Sequence, residues 1–295
     1  MWCGQVRDDI LIYMGLLDDR VAWVTGAGRG FGAGIAHGLV LAGAKVCLTD
    51  IDIGELSTTV DEIGAKSDQT FVQLADVSDS NEMKLAADAI VDKWGRLDAV
   101  ICNAATMPLV PFADHTPEFW RKMIDVNLSG VYHAVWAAWP HLLRQGGGHC
   151  VAIASGASVG GFVNEIAYCT AKHGIEGFTK ALAMEAEPVN IAVNTMGPGG
   201  VIKPTEITRA QAKQMTQLER SRWLDPLSLS PAFVWLVTQP PARFSGLRFD
   251  AGRLAATISA EGYRFLFTPE KATSYVDDMK LRIDQRRLWT MLAVD

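Results

Sequence analysis

The chain has 295 residues, 27 Lys and Arg against 33 Asp and Glu, a formal net charge of −6, and an apolar share of 49%. That balance excludes a disordered chain and lacks the basic footprint that duplex nucleic acid requires. No stretch reaches the roughly eighteen uninterrupted apolar residues that would suggest a membrane span.

Residues 1–15 read as an N-terminal extension with Met14 a candidate start, because Arg7, Asp8 and Asp9 interrupt what would be the apolar core of a signal peptide. From there, β-branched or apolar runs fall at Val21–Thr25, Val46–Thr49, Thr70–Leu74, Ala99–Cys102, Cys150–Ala154 and Ile191–Asn194. They alternate with helically spaced stretches such as Phe31–Ala42, Asn81–Trp94 and Ala167–Ala186. Runs that are apolar throughout and separated by helices predict a parallel sheet covered on both faces. Thr116 supplies an N-cap hydroxyl and Pro117 a first helical residue, so a long helix carrying Phe119, Met123, Ile124 and Val131 should start there. Pro140 must kink or end it. Gly146, Gly147 and Gly148 turn into the next strand. Residues 204–224 are polar and helical in composition, with Trp223 as an anchor, and suit a flap over a site. Pro231–Thr238 reads as a short apolar helix, Leu247–Asp250 as a final strand, and Asp277–Leu292 as an amphipathic helix with Arg282, Arg286 and Arg287 on a solvated face.

The five cysteines, Cys3, Cys47, Cys102, Cys150 and Cys169, are odd in number and widely spaced. Three lie in apolar runs, so a reduced, cytoplasmic protein with inert buried thiols is expected. The six histidines (37, 115, 133, 141, 149 and 173) show no metal-ligand spacing, and no metal is expected. Trp94, Trp120, Trp136 and Trp139 sit at helix positions and suit core or subunit packing.

The segment Thr25–Gly26–Ala27–Gly28–Arg29–Gly30–Phe31–Gly32 follows the first strand and opens the first helix. Glycines there let the backbone turn tightly and approach a pyrophosphate, whose charge is met by free N–H groups and the helix dipole. Asp50, followed by Ile51, ends the second strand about twenty residues on, where a carboxylate accepts from the ribose hydroxyls of NAD and repels the 2′-phosphate of NADP. Arg29 points the other way, since a guanidinium could pair with that phosphate. NAD is the expected cofactor and NADP the less favoured one. Asp76, followed by Val77, is placed to cap the adenine ring or to serve only as a turn former.

Tyr168 and Lys172 are four residues apart, which in a helix puts phenol and ammonium on one face. A neighbouring positive charge stabilises the phenolate; lowering its pKa from about 10 by three units takes roughly 4 kcal/mol. Alone, such a pair is common by chance.

Jointly, Thr-Gly-x-x-x-Gly-x-Gly, Asp76, Asn103–Ala104–Ala105, Asn127, Ser155, Tyr168-x-x-x-Lys172 and Pro198–Gly199 occur in the order and spacing of the short-chain dehydrogenase/reductase family, which the chain resembles over about residues 16–252. The resemblance implies a single-domain, Rossmann-type, doubly wound parallel sheet of about seven strands with helices on both faces. A tail over residues 253–295 would follow. It also implies that Tyr168 is the general acid/base and that Lys172 binds the nicotinamide ribose and lowers the tyrosine pKa. Ser155 would hydrogen-bond the substrate carbonyl, with Ser158 as its competitor, read here as a turn residue. Asn127 would hold a water that connects Lys172 to solvent, or simply bond to backbone. The implied cofactor contacts add Asn103, Ala104, Ala105, Pro198, Gly199 and Val201. Three features depart from the family pattern. Ala105 stands for the usual glycine, Lys203 for a threonine contacting the carboxamide unless Thr205 replaces it, and Asp250–Ala251–Gly252 closes the final strand.

The expected activity is hydride transfer between NAD and a secondary alcohol or ketone. Residues 106–115, 156–165 and 203–224 should wall the substrate site; their Met107, Leu109, Val110, Phe112, Phe162, Val163, Met215 and Trp223 favour a partly apolar substrate, although Lys203 and Arg209 leave a sugar acid open. An NADP-dependent reductase and a non-catalytic dinucleotide sensor are the alternatives. The resemblance further implies a homodimer or homotetramer built from the helices around Thr116–Arg144 and Ala167–Ala186.

Overall fold

In a computed structural model, which describes residues 15–65, 68–205 and 207–267, seven strands form one parallel sheet in the order β3-β2-β1-β4-β5-β6-β7. The strands are β1 (Val21–Thr25), β2 (Lys45–Asp50), β3 (Thr70–Leu74), β4 (Ala99–Cys102), β5 (Gly148–Ile153), β6 (Ile191–Gly197) and β7 (Arg248–Asp250). The chain order reverses between β1 and β4. A crevice therefore opens beyond the carboxyl ends of these two neighbours, the place where doubly wound sheets bind ligands.

Every residue of β1 is buried, because alternate side chains feed two separate cores. Ala22 and Val24 join one apolar cluster, while Val21 and Trp23 join the other on the opposite face. The helices are α1 (Gly30–Leu41), α2 (Ile53–Ile63), α3 (Ser80–Trp94), α4 (Pro117–Ile124), α5 (Gly130–Gln145), α6 (Ile166–Ala186), α7 (Arg209–Gln214), α8 (Gln217–Arg220), α9 (Pro226–Thr238) and α10 (Ala251–Glu261). Asp52 and Asp79 cap α2 and α3 by accepting from backbone N–H groups, and Thr116 caps α4 in the same way.

The long helix begins at Thr116 as expected, but Pro140 does not end it. Helical backbone continues to Gln145, with Pro140 inside α5. The proline's missing donor would have served Trp136, which lies on an exposed face of the helix. The irregularity falls earlier instead, as a widened turn over Asp125–Ser129 between α4 and α5.

Packing continues past Gly252, where the sequence reading places the end of the domain. Leu254, Ala255 and Ile258 of α10 are buried, and the rings of Phe265 and Phe267 stack on Trp235 at 5.3 and 5.5 Å. The extension through Met14, with Cys3, and the helix expected near Asp277–Leu292 with its three arginines lie outside the described residues. Cys47, Cys102 and Cys150 are buried on strands; burial pushes the first two thiols up to about 12 and the third well above its ordinary value. No helix among the described residues is long and apolar enough to cross a membrane.

Candidate active site

The glycine-rich turn sits against the end of β4. Gly26 has φ +63, and a Cβ on it would lie 2.6 Å from Ala104 Cα, so both the conformation and the close approach demand glycine. The Asn103 amide donates to the Thr25 and Gly26 carbonyls at 3.1 and 2.9 Å, and the Thr25 hydroxyl accepts the N–H groups of Asn103 and Ala104. This threonine tie between β1 and β4 was not singled out from sequence beyond its place in the motif. Arg29 is the N-cap of α1 but offers no side-chain acceptor, and no acidic residue occupies the first turn, which includes Gly30, Phe31 and Gly32. The free N–H groups at this helix start suit an anionic pyrophosphate.

Asp50 reaches back from the end of β2 to accept the Gly28 N–H at 2.9 Å. A Cβ at Gly28 would come within 2.8 Å of that carboxylate, so the loop leaves room for the acid and nothing more. Ile51 beside it is exposed. Arg29 is drawn away from Asp50: its guanidinium lies 3.9 Å from Glu55 and donates to the Thr205 carbonyl. Asp76 accepts from the N–H and hydroxyl of Ser78, and Val77 is buried against Gly130 with its carbonyl 2.9 Å from His133 Nδ1.

Tyr168 and Lys172 share a face of α6, the ammonium lying 5.6 Å from the tyrosine ring centre. Lys172 is only 2% exposed, and its Nζ donates to the Ile153 carbonyl at 2.7 Å. Burial pushes its pKa down to about 8, against the opposing influence of Glu176 and Cys102. Ser155 lies just beyond the end of β5, after Ala154, and starts a short 3-10 turn over Gly156–Ser158, its Oγ accepting the Ala157 N–H. Ser158 is indeed a turn residue, but a buried one whose hydroxyl accepts the Ser155 N–H at 3.1 Å.

Asn127 lies in the widened turn and is fully buried. Its amide donates to the carbonyls of Thr106 and Met123, and its oxygen accepts the Thr106 N–H. The widened turn thereby braces the start of the 106–115 loop. That loop joins the neighbouring 156–165 loop through the Val110 N–H and the Asn164 carbonyl at 3.0 Å. Both present apolar side chains to solvent, among them Leu109, Phe112, Phe162 and Val163, the last 86% exposed.

Beyond β6, Gly199 adopts φ +76 after Pro198, and the exposed Val201 accepts the Leu224 N–H. Lys203 donates to the Pro204 and Ile207 carbonyls of its own segment. Arg209, a candidate cation for a sugar acid, pairs with Glu55 at 2.6 Å and Glu62 at 2.5 Å, and also donates to the Gly28 carbonyl and the Thr59 hydroxyl. The sequence reading missed these pairings because Glu55, Thr59 and Glu62 look like a solvated helix face. It equally missed Glu176 and Arg248, which meet beneath Ser155 from distant parts of the chain.

Residues 20–216 match the family model for short chain dehydrogenases. A (-)-trans-carveol dehydrogenase of Rhodococcus erythropolis is 32% identical, the match covering 81% of this chain and 99% of the relative. The crystal structure of a carveol dehydrogenase from Mycobacterium avium in complex with NAD superposes with a TM-score of 0.70 at 28% identity, covering 81% of this chain and 99% of the other. A short chain dehydrogenase from Shigella flexneri complexed with NADP gives a TM-score of 0.70 at 27% identity, with the same coverage. Glycine turn, strand-end acid, Tyr168 and Lys172 thus stand in a fold shared with dinucleotide-bound dehydrogenases, and the chain belongs to the short-chain dehydrogenase family, as an oxidoreductase of CH–OH groups that uses a nicotinamide dinucleotide.

Proposed function

We propose that this enzyme interconverts a secondary alcohol and its ketone on a partly apolar molecule, with NAD as cofactor and Tyr168 as the general acid/base. The observation that carries this reading is the Tyr168–Lys172 pair: a buried ammonium 5.6 Å from the phenol ring, on a helix that packs against the turn capped by Ser155. The dinucleotide, when bound, supplies or accepts the hydride. The N–H groups at the start of α1 would hold its pyrophosphate and Asp50 its adenosine ribose. Pro198, Gly199 and Val201, following β6, would border its nicotinamide end, together with Asn103, Ala104 and Ala105 following β4.

Within this frame Lys172 binds the second ribose and its positive charge favours the phenolate of Tyr168. Tyr168 takes the proton from an alcohol, or returns it to a ketone oxygen, while the Ser155 hydroxyl holds that oxygen. Asn127 keeps the 106–115 loop in place. Apolar side chains on the two substrate loops, and the engagement of Lys203 and Arg209 elsewhere, support an uncharged substrate over a sugar acid. The Rhodococcus relative, named for an alcohol of this kind, points the same way.

Asp50 on the Gly28 amide and Glu55 beside Arg29 favour NAD, since both carboxylates would oppose a 2′-phosphate. The Shigella neighbour complexed with NADP supports the second reading, an NADP-dependent reductase in which Arg29 turns to the phosphate. A homodimer or homotetramer through α4, α5 and α6, which expose Trp120, Tyr132, Trp136 and Met184, and a cytoplasmic setting complete the proposal.

Cyclic and open-chain secondary alcohols and ketones, assayed at 340 nm with each cofactor, test it. Turnover with NAD exceeding that with NADP, and lost in Tyr168→Phe, is expected. Preference for NADP would replace the first reading by the second, and unimpaired turnover in Tyr168→Phe would sink both.

A further inference from the structure

Beneath Ser155 lies a charged pair that the proposed chemistry does not use. Arg248, at the start of β7, is 1% exposed, and Glu176, on α6, is 6% exposed. Arg248 Nη1 lies 3.3 Å from Glu176 Oε1, while Nη2 donates to the Ser155 carbonyl at 2.7 Å. The other Glu176 oxygen accepts from the Thr195 hydroxyl at 3.1 Å. Ser158 also bonds its hydroxyl to the Glu176 carboxylate, and that same hydroxyl accepts the Ser155 N–H.

These contacts close a ring. The Ser155 N–H is held by Ser158, Ser158 by Glu176, Glu176 by Arg248, and Arg248 by the Ser155 carbonyl. Both polar groups of one peptide residue are thereby fixed, and both fixings lead to the same buried carboxylate. A buried ion pair of this kind contributes little net stability compared with apolar residues of equal volume, so its value lies in what it orients. Glu176 is also one helical turn beyond Lys172, so the same carboxylate faces the ammonium and the serine turn from one side.

We infer that Glu176 and Arg248 are positioning residues, whose ring through Ser158 sets the Ser155 hydroxyl for the substrate oxygen. The inference rests on the proposed role of Ser155. The pair acts through the backbone of Ser155, and Glu176 also through its charge on the Lys172 ammonium. Oxyanion-type donors lose effect steeply with misplacement, a shift near 1 Å costing on the order of 10²-fold.

The experiment compares the full-length wild type with Ser155→Ala, Glu176→Gln/Arg248→Met, the triple variant and Arg248→Lys. The charge-neutral pair variant avoids stranding a lone buried charge. For each, kcat and KM are measured on the best alcohol of the panel, NADH affinity by fluorescence, and melting temperature by calorimetry. The pair variant is expected to lose on the order of 10- to 100-fold in kcat, with NADH affinity unchanged when both are measured well below the pH range in which Lys172 releases its proton. In the triple variant the loss should be no greater than in Ser155→Ala, because both changes remove one function. Arg248→Lys, which keeps a donor and a charge, should recover part of the rate. Should the pair variant fail to fold, Ser158→Ala takes its place, expected to show the same loss and the same non-additivity with Ser155→Ala. If Ser155→Ala lowers kcat but the pair variant does not, or the losses multiply, the positioning role is wrong while the proposed function stands. If Ser155→Ala leaves kcat unchanged, the reading of Ser155 fails first.

Discussion

Lys172 gives its buried ammonium to the carbonyl of Ile153, 2.7 Å away, at the last residue of β5. The bond anchors α6 to the strand end and holds the cation beside the Tyr168 ring. A strand terminus, a buried charge and a phenol are thus assembled by one side chain, before any ligand arrives. Pre-placement of this kind spares the reorganisation that would otherwise accompany proton transfer.

Burial has a measurable consequence at this lysine, whose ammonium is pushed down to about 8. Without ligand, Lys172 therefore releases its proton as pH rises through that value, whereas an exposed lysine holds it to about 10.4. The neutral amine offers ribose hydroxyls weaker bonds than the ammonium does. NADH affinity of the free enzyme is expected to decline above pH 8 and to hold steady below it. Fluorescence titrations across that range provide the check, and Lys172→Met should bind weakly with no such dependence.

Tyr168→Phe removes one oxygen and keeps the ring that Lys172 faces. A loss of kcat on the order of 10²- to 10⁴-fold is expected, the usual worth of a positioned acid/base. NADH affinity and melting temperature should stay close to wild type. A comparable fall in cofactor affinity would instead show that the hydroxyl binds rather than transfers a proton.

Much of this site could be read from the chain itself. Tyr168 and Lys172 lie within one helix, and the glycine turn within one strand-to-helix junction, so local periodicity places them. That Pro140 does not end its helix could not be read locally, because a clash with the preceding turn is a local rule while the helix around it is held by packing on the sheet. Arg248 with Glu176, and Arg209 with Glu55, were invisible for a different reason. Each joins residues 72 or more positions apart, and nothing in local pattern tells a buried charge from a solvated one. The end of the packed unit escaped similarly, since Phe265 and Phe267 gain their meaning only against Trp235.

Cofactor preference should turn on two carboxylates. Asp50 holds the Gly28 amide where the adenosine ribose is expected, and Glu55 draws off Arg29. Asp50→Ser combined with Glu55→Gln removes both negative charges and leaves Arg29 available to a phosphate. The ratio of kcat/KM for NAD over NADP is expected to fall at least about tenfold, in line with one gained charge-assisted bond and one removed repulsion. An unchanged ratio would place the determinant elsewhere.

Helices α7 and α8 bury none of their residues, yet the segment carrying them is tied to the glycine-rich loop. Arg209 makes that tie, bonding the Gly28 carbonyl and Thr59 while pairing with Glu55 and Glu62. A segment held by charge rather than by apolar burial should respond to ionic strength. KM for both cofactor and alcohol is expected to rise between low salt and about 1 M, where screening acts within about 3 Å. Arg209→Ala should start from the raised KM and show little further change with salt, with kcat far less affected. Steady-state kinetics across a salt series measure this.

Acid stability should decline in two separable stages, governed by neighbours at the starts of β4 and β5. Burial pushes the His149 imidazole down to about 4, although the Gln239 carbonyl favours its charged form. Below the ordinary histidine value the unfolded chain takes up a proton that the folded chain refuses. Stability therefore falls as pH drops from 6.5 to about 4, by up to ~3 kcal/mol. Asp98 works lower. Burial opposes its charge, but Arg96, the Val21 N–H and Arg20 outweigh it and hold the carboxyl below the usual carboxylate range. Its contribution is complete above the unfolded value of about 3.9 and is lost as pH falls through the depressed folded one. Urea titrations at stepped pH should show His149→Asn flattening the upper stage and Asp98→Asn the lower, with only a slight effect on the upper stage from losing the Asp98 charge that favours protonated His149, while a single stage that both variants shift together would contradict the assignment.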